Sequence, residues 1–195
     1  IVAAADQPDV VREEGKADIV QAERLTAVID ELLAAARRQR HAQANPIPID
    51  QVLDQQLREW EPAFRRADRD IRLEGTQGLV ALATPGGLSQ IIATLLENSL
   101  RHGDGQVTIT TSSSGRSVVI EVADEGPGVP EELGNRVFER NVSGGGGTGL
   151  GLPLARALAA ADGGRLELVR HCPATFAIFL RLADEGPQRV VTGPA

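Results

Sequence analysis

The first part of the chain has apolar residues at alternating spacings of three and four. They lie in a segment, residues 9–42, that predicts one long helix, and they are Ala22, Leu25, Ile29, Leu32 and Ala36. This spacing is typical of the seam of a coiled coil or a helical bundle. One helix cannot bury such a stripe alone, so we expect a partner helix from an upstream segment or from a second chain. Packing of the stripe against the following domain is the alternative.

The pattern changes at Pro46 and Pro48, where we predict a linker and a domain boundary, because each proline favours extended backbone at the residue before it. The next helix has Asp50 as its predicted N-cap and Pro62 as a predicted kink. Beyond it, the apolar patterns predict two strands, a helix, two strands, a glycine-rich loop, a helix and two strands. Strands that arrive in adjacent pairs predict an α+β fold, a two-layer sandwich whose mixed sheet carries helices on one face.

Composition narrows the classes of function. The 195 residues carry a net charge of −7 and 3% aromatic residues, which argues against binding to nucleic acid or anionic lipid. Cys172 is the only cysteine, so an internal disulfide and a cysteine-based zinc site are excluded and a cytosolic setting is favoured. No apolar run approaches the roughly 18 residues that span a membrane. The chain starts at Ile1 within apolar sequence, so we expect a fragment of a longer protein.

The predicted helix 86–102 carries polar residues that suit an anionic ligand with a metal ion. The residues that share one face are Thr94, Asn98, Arg101 and His102. The amide oxygen of Asn98 suits Mg²⁺, which prefers oxygen ligands. The guanidinium of Arg101 can bind phosphate oxygens in a forked geometry. For this helix alone, a solvated polar face is the alternative.

The stretch "GGGGTGLGLPLAR", residues 144–156, is a glycine-rich loop that opens a helix. Backbone N–H groups at a helix start lie at the positive end of the helix dipole and can bind phosphate. A flexible linker is the alternative, although a linker would not run directly into a helix. No lysine follows the glycines, so the stretch is not a Walker A loop.

The stretch "DEGPGVP", residues 124–130, follows a predicted strand. The carboxylate of Asp124 can accept a hydrogen bond from the exocyclic amine of adenine, and Gly126 and Gly128 would let a flat base approach the backbone. Alone this pattern is weak, because Asp-x-Gly occurs in many turns. Together with Asn98 and the glycine-rich loop, it indicates a purine nucleotide site.

In chain order, "LLENSLRHG", "DEGPGVP", "RVFERN" and "GTGLGLPLAR" resemble the N, G1, F and G2 boxes of the ATP-binding catalytic domain of bacterial sensor histidine kinases. These enzymes belong to the GHKL superfamily, whose nucleotide site is the Bergerat fold. The resemblance covers residues from about 48 to 182. It implies a partial dimerisation and histidine-phosphotransfer hairpin in residues 1–45, a catalytic ATP-binding domain in residues 46–182 and a disordered tail in residues 183–195.

The resemblance also implies roles for individual residues. Asn98 would bind Mg²⁺, Arg101 would contact the phosphates, and Asp124 would read the adenine amine. A lid at about residues 129–147 would be mobile. The residues expected to contact ATP are Asn98, Arg101, His102, Asp124, Gly126, Gly128, Arg140, Thr148, Gly149, Leu150, Gly151, Leu152 and Thr175.

Two features depart from the family pattern. Thr94 stands where Asn or His is usual, four residues before Asn98, and a hydroxyl is a weaker and shorter metal ligand. The phosphoacceptor motif is absent, and the histidines that lie in other contexts are His41, His102 and His171. The resemblance therefore implies a kinase fragment without a catalytic residue of its own, which uses Mg-ATP to phosphorylate a histidine upstream. It would be the cytoplasmic part of a sensor, form a homodimer through its N-terminal helices and pass the phosphoryl group to a response regulator.

Three alternatives remain open at this stage. An ATPase of the gyrase or MutL type would need a glutamate one turn before Asn98, where Thr94 stands, and Glu97 points about 100° away around the helix. A degenerate domain would act as a nucleotide-binding or dimerisation scaffold. An anti-sigma-factor serine kinase shares the ATP motifs but lacks the long N-terminal helix.

Overall fold

The computed structural model describes residues 44–139 and 149–183. The heptad helix predicted within residues 9–42, most of the predicted hairpin, and the tail beyond Ala183 lie outside these ranges. So do two of the expected ATP contacts, Arg140 and Thr148.

Strands and helices follow one another in the order that the apolar patterns predict from residue 49 onward. The strands of the described part are β1 (Asn45–Pro48), β2 (Ile71–Gly75), β3 (Val80–Ala83), β4 (Val107–Ser114), β5 (Ser117–Ala123), β6 (Arg165–Arg170) and β7 (Thr175–Leu182). The helices there are α1 (Ile49–Arg66), α2 (Pro85–His102) and α3 (Gly151–Ala161), and a short 3-10 helix spans Gly134–Phe138.

The strands form one mixed sheet in the order β1-β3-β7-β5-β4-β2, and β6 also pairs with β7. β7 lies at the centre of the sheet. β5 pairs along one of its edges, and β6 and β3 pair with successive parts of the other edge. The pairing of β2 with β4 is parallel, and the other pairings are antiparallel. The predicted mixed sheet is confirmed.

The three helices lie on one face of this sheet, which confirms the predicted two-layer α+β sandwich. Alternate residues of β5 and β7 and an apolar stripe on α2 form the core between the layers. These residues are Val118, Ile120, Val122, Phe176, Ile178, Leu180, Leu88, Ile91, Ile92, Leu95 and Leu96. Each large apolar side chain that is buried contributes roughly 1.5–3 kcal/mol. The core therefore holds α2 firmly against the strands, while Glu97, Arg101 and His102 near its C-terminal end stay exposed.

Two local predictions are wrong. Residues Asn45–Pro48 form an edge strand rather than a linker, pairing with β3; prolines are tolerated there because an edge strand needs few of its N–H groups. Asp50 does not cap α1, which begins at Ile49 with no side-chain cap. The Asp50 carboxylate instead accepts a hydrogen bond from the backbone N–H of Gly78, at 2.7 Å. Pro62 lies inside α1, which continues to Arg66.

Candidate functional site

The relative direction of α2 and α3 follows from contacts at their ends. The carboxylate of Asp162, at the C-terminal end of α3, accepts hydrogen bonds from Thr84, the residue before α2. At the other end of α3, a Cβ on Gly151 would lie 3.1 Å from the Thr94 methyl group, in the middle of α2. The helices therefore run antiparallel. The N-terminus of α3 meets α2 one turn before Asn98.

Thr94 is buried in this contact. Its hydroxyl donates to the backbone carbonyl of Gln90, one turn earlier, at 2.9 Å, and its methyl group faces Gly151. The position where the family usually has Asn or His is thus used for packing between helices. Asn98, one turn further, is partly exposed.

Asp124 directly follows β5 and is buried, with 8% of its surface exposed. Its Oδ1 atom accepts a hydrogen bond from the backbone N–H of Gly126 at 2.8 Å. The carboxyl group lies against Gly103, the C-cap of α2, where a Cβ atom would overlap it. The carboxylate is therefore fixed beside the end of the helix that carries Asn98 and His102.

The two glycines of the "DEGPGVP" turn are required by the protein's own backbone. A Cβ on Gly126 would lie 2.7 Å from both the backbone nitrogen of Asp104 and the Cα of Gly103. Gly128 has a φ of 83°, and a Cβ there would overlap the carbonyl oxygen of His171. That same oxygen accepts a hydrogen bond from the N–H of Val129 at 2.8 Å. The turn is therefore held against α2 on one flank and against the β6–β7 loop on the other.

Thr175 begins β7 and lies beside this turn. It pairs with Ala123, the residue before Asp124, and is 4% exposed. The sheet thus brings together Asp124 and Thr175, two of the expected ATP contacts, which are far apart in the chain.

The charged residues at the end of α2 are at the surface. Arg101 forms an ion pair with Glu97 at 2.8 Å, and both side chains are half exposed. His102, the last residue of α2, is also exposed. These two side chains are open to a ligand that approaches from solvent.

The described end of the glycine-rich stretch forms the start of α3. Gly149 has a φ of 64°, and α3 begins at Gly151 without a side-chain cap. The first N–H groups of a helix have no partner within it, and Leu154 is the first residue that bonds back, to the Leu150 carbonyl at 3.1 Å. The N–H groups that are free within the helix are those of Gly151 and Leu152, since Pro153 has none, and they lie at the end of α3 that meets α2 at Thr94.

Sequence reasoning missed two residues that organise these elements. The Arg69 guanidinium donates to backbone carbonyls at the end of α2 and in the loop after it. Phe138 is buried between the Arg156 guanidinium, 4.9 Å from its ring centre, and the ring of Phe176, at 6.0 Å. Phe138 belongs to the "RVFERN" motif, so the sequence could have indicated it. Arg69 is a single basic residue in a loop and belongs to no motif, so the sequence could not have indicated its role.

Within residues 44–139 and 149–183, no three His, Cys, Asp or Glu side chains cluster in a way that could hold a metal ion. A metal in this site would thus rest on the Asn98 amide, on phosphate oxygens of a ligand and on water, which is the coordination that Mg²⁺ tolerates. Over the same ranges, no helix has the length and apolar character needed to cross a membrane.

Comparison with known proteins identifies the family. The model of the "Histidine kinase-, DNA gyrase B-, and HSP90-like ATPase" family matches residues 83–184. The chain belongs to this family. The matched range contains α2, the Asp124 turn, α3 and β7, so the family's core is the part of the chain that builds the site.

Relatives within the family are sensor kinases. A probable sensor histidine kinase of Mycobacterium tuberculosis is 31% identical over 76% of this chain and 40% of its own length. The sensor histidine kinase component HK1 of the same species is 31% identical over 59% of this chain and 71% of its own length. Among solved structures, the ATP binding domain of PrrB from Mycobacterium tuberculosis is 28% identical, with a TM-score of 0.58 over 72% of this chain and 98% of that one. The chain spans between 29% and 52% of the length of the first three curated relatives.

Proposed function

We propose that this chain is the ATP-binding catalytic part of a sensor histidine kinase, which transfers the γ-phosphoryl group of Mg-ATP to a histidine outside the described residues. One observation carries the proposal. The buried Asp124 carboxylate is seated against the C-cap of α2, while the N-terminus of α3 meets the same helix one turn before Asn98. A base-reading acid, an amide and a set of free N–H groups thus border one region.

Each group would contact a different part of the nucleotide. Asp124 uses Oδ1 for the Gly126 N–H, which leaves Oδ2 to accept the adenine amine, with Thr175 beside the base. The free N–H groups of α3 would hold phosphate oxygens at the positive end of the helix dipole. Asn98 would hold Mg²⁺, which supplies charge neutralisation on the β- and γ-phosphates. His102 would face the adenine or the ribose.

Arg101 would exchange one anionic partner for another. Its ion pair with Glu97 is half exposed, and such pairs contribute little to stability because solvent screens them. A phosphate group is a stronger partner for a guanidinium, since it accepts two charge-assisted hydrogen bonds. We therefore expect Arg101 to leave Glu97 when ATP binds.

The transfer step itself needs positioning more than covalent help. The bond between the γ-phosphorus and the bridging oxygen of ADP breaks, and a bond to an imidazole nitrogen forms. The residues of this chain would orient the triphosphate and offset its charge. His102 and His171 are not expected to accept the phosphoryl group, and neither is His41. A response regulator would receive the phosphoryl group from a homodimeric, cytoplasmic kinase.

A binding experiment tests the proposal. Mg-ATP affinity is measured by calorimetry on the full chain and on Asp124→Asn, with Asp54→Asn, an exposed site on α1, as the matched control. We expect binding by the unaltered chain and by the control, and a loss of roughly tenfold or more in Asp124→Asn, because a hydrogen bond to a charged group is removed. No binding by the unaltered chain would favour the degenerate scaffold.

An ATPase of the gyrase type has less support from the geometry. The side chain one turn before Asn98 is Thr94, whose hydroxyl is engaged with the Gln90 carbonyl. It offers no carboxylate to activate water. Steady release of inorganic phosphate by the chain alone, at a rate that Asp124→Asn abolishes, would support the ATPase instead.

A further inference from the structure

Arg69 joins the end of α2 to the loop that follows it. The guanidinium donates four hydrogen bonds to backbone carbonyl oxygens. The acceptors are Ser99 (2.7 Å), Gly103 (3.3 Å), Asp104 (3.0 Å) and Gly105 (2.7 Å). Ser99 lies in the last turn of α2, where its carbonyl also accepts the Gly103 N–H at 3.0 Å, and Gly103 is the C-cap. A cation at this end is favoured by the helix dipole. A planar fork of donors can bond to several carbonyls at once in a fixed geometry, which a lysine cannot do.

The backbone at Arg69 is held in place by the end of α1. The N–H of Arg69 donates to the Phe64 carbonyl at 2.9 Å, and the N–H of Asp68 donates to Arg65 at 3.1 Å. Asp68, the residue before Arg69, has a φ of 57°. This is the pattern of a Schellman motif at a helix C-terminus. The Arg69 guanidinium also lies 5.4 Å from the ring centre of the fully buried Phe64. Arg69 is thus a fixed support rather than a mobile surface residue.

The loop that Arg69 supports, residues 103–105, is the one that contacts the "DEGPGVP" turn. Gly103 lies against the Asp124 carboxyl group, and the Asp104 carbonyl accepts the N–H of Glu125 at 3.0 Å. The Glu125 carboxylate in turn accepts the N–H of Gln106 at 3.0 Å. The position of the Asp124 carboxylate is therefore set by residues 103–105, whose carbonyl groups all accept hydrogen bonds from the Arg69 guanidinium.

We propose that Arg69 is a positioning residue for recognition of the adenine amine: its four bonds to the α2 end and residues 103–105 set where the Asp124 carboxylate stands. This inference rests on the proposed ATP-binding function. The bonds of the Arg69 side chain go to the carbonyls at the end of α2 and in residues 103–105, and none goes to Asp124, so its effect passes through the loop. Removal of the Arg69 guanidinium therefore reduces the preference for adenine over other bases, in addition to any general weakening of nucleotide binding.

The test compares ATP with inosine triphosphate, which carries a carbonyl oxygen in place of the adenine amine. Affinities of both are measured with Mg²⁺ on the full chain, on Arg69→Met and Arg69→Lys, and on Arg72→Met as the control at an exposed site on β2. The unaltered chain and the control should prefer ATP by roughly tenfold to a hundredfold, the contribution of a hydrogen bond to a charged group. Arg69→Met should lose most of this preference and Arg69→Lys part of it.

A double variant separates positioning from general stability. If Arg69 acts through Asp124, Arg69→Met should not reduce the ATP preference any further in an Asp124→Asn background, because residues in one network are not additive. Equal weakening of both nucleotides in Arg69→Met, with the ATP preference intact, would overturn the inference and leave the proposed function standing. If Arg69→Met does not fold, the same outcome in Arg69→Lys decides the matter. An unaltered chain that binds neither nucleotide would overturn both.

Discussion

The buried carboxylate of Asp162 accepts hydrogen bonds from both the backbone N–H and the hydroxyl of Thr84, at 2.9 and 3.0 Å. These residues are 78 positions apart in the chain. The contact joins the C-terminal end of α3 to the start of α2. It therefore determines where the opposite end of α3 meets α2, at Thr94, one turn before Asn98.

Asp162→Asn should destabilise the fold by about 1–3 kcal/mol. Both Thr84 donors bond to Oδ2, and an uncharged amide oxygen accepts them more weakly. The amide NH₂ group also puts a donor in the buried place where Oδ1 accepts the Thr84 hydroxyl at 3.2 Å. The free energy of unfolding, measured by urea denaturation, checks this. Asp54→Asn is the matched control and should change it by less than about 0.5 kcal/mol. Equal stability of the two variants would contradict the structural role assigned to Asp162.

Gly103→Ala should weaken Mg-ATP binding by roughly tenfold or more and cost about 1–3 kcal/mol of stability, as overpacking does. Its backbone, with φ −88° and ψ −179°, is one that alanine adopts easily, so the effect comes from the overlap of the new Cβ with the Asp124 carboxyl group. Calorimetry with ATP and thermal unfolding measure the two effects.

The control for that variant is Gly86→Ala, in the first turn of the same helix. A Cβ there meets nothing within 4 Å, so alanine should leave binding unchanged and add up to about 1 kcal/mol of stability through its higher helix propensity. Similar ATP affinity in Gly103→Ala and Gly86→Ala would show that the Asp124 carboxylate does not contribute to binding.

Gly151→Ala should reduce stability even though alanine is the better helix former. The new Cβ would lie 3.1 Å from the Thr94 methyl group. That side chain cannot rotate freely, because it is β-branched and its hydroxyl bonds to Gln90. Thr94→Ser removes the methyl group. Gly151→Ala should therefore be less harmful in the Thr94→Ser background than in the unaltered chain, by roughly 0.5–1.5 kcal/mol in a double-mutant cycle. Additive effects would place the two residues out of contact.

Glu97→Gln should tighten Mg-ATP binding by a few-fold, because it removes the carboxylate that competes with phosphate for Arg101. The loss of one exposed pair should change stability by less than about 1 kcal/mol. Glu61→Gln, which breaks the equivalent Arg65 pair on α1, is the matched control and should leave ATP affinity unaltered. Weaker binding in Glu97→Gln would assign Glu97 a direct part in holding the nucleotide or its metal ion.

Much of the fold could be predicted from the chain because apolar periodicity reflects burial directly. The alternating run of β5 and the apolar run of β7 each indicated a strand, and the apolar stripe on α2 indicated a helix. The errors at Asn45–Pro48 and at Asp50 are of another kind. A proline-rich extended segment looks the same whether or not another strand pairs with it. An acid near a helix start serves as a cap or as an acceptor for a distant N–H, and nothing local distinguishes the two.

The order of motifs along the sequence determined the family. The motifs can be read from the sequence because a turn packed against neighbouring backbone has no room for a Cβ atom, so glycine is required at positions such as Gly126 and Gly128. Only the tertiary structure decided how these motifs are held together. Thr84 with Asp162, Thr94 with Gly151, and Arg69 with residues 103–105 are contacts between segments far apart in the chain. The energies of these contacts depend on distances that exist only in the folded chain, so no spacing along the sequence predicts the contacts.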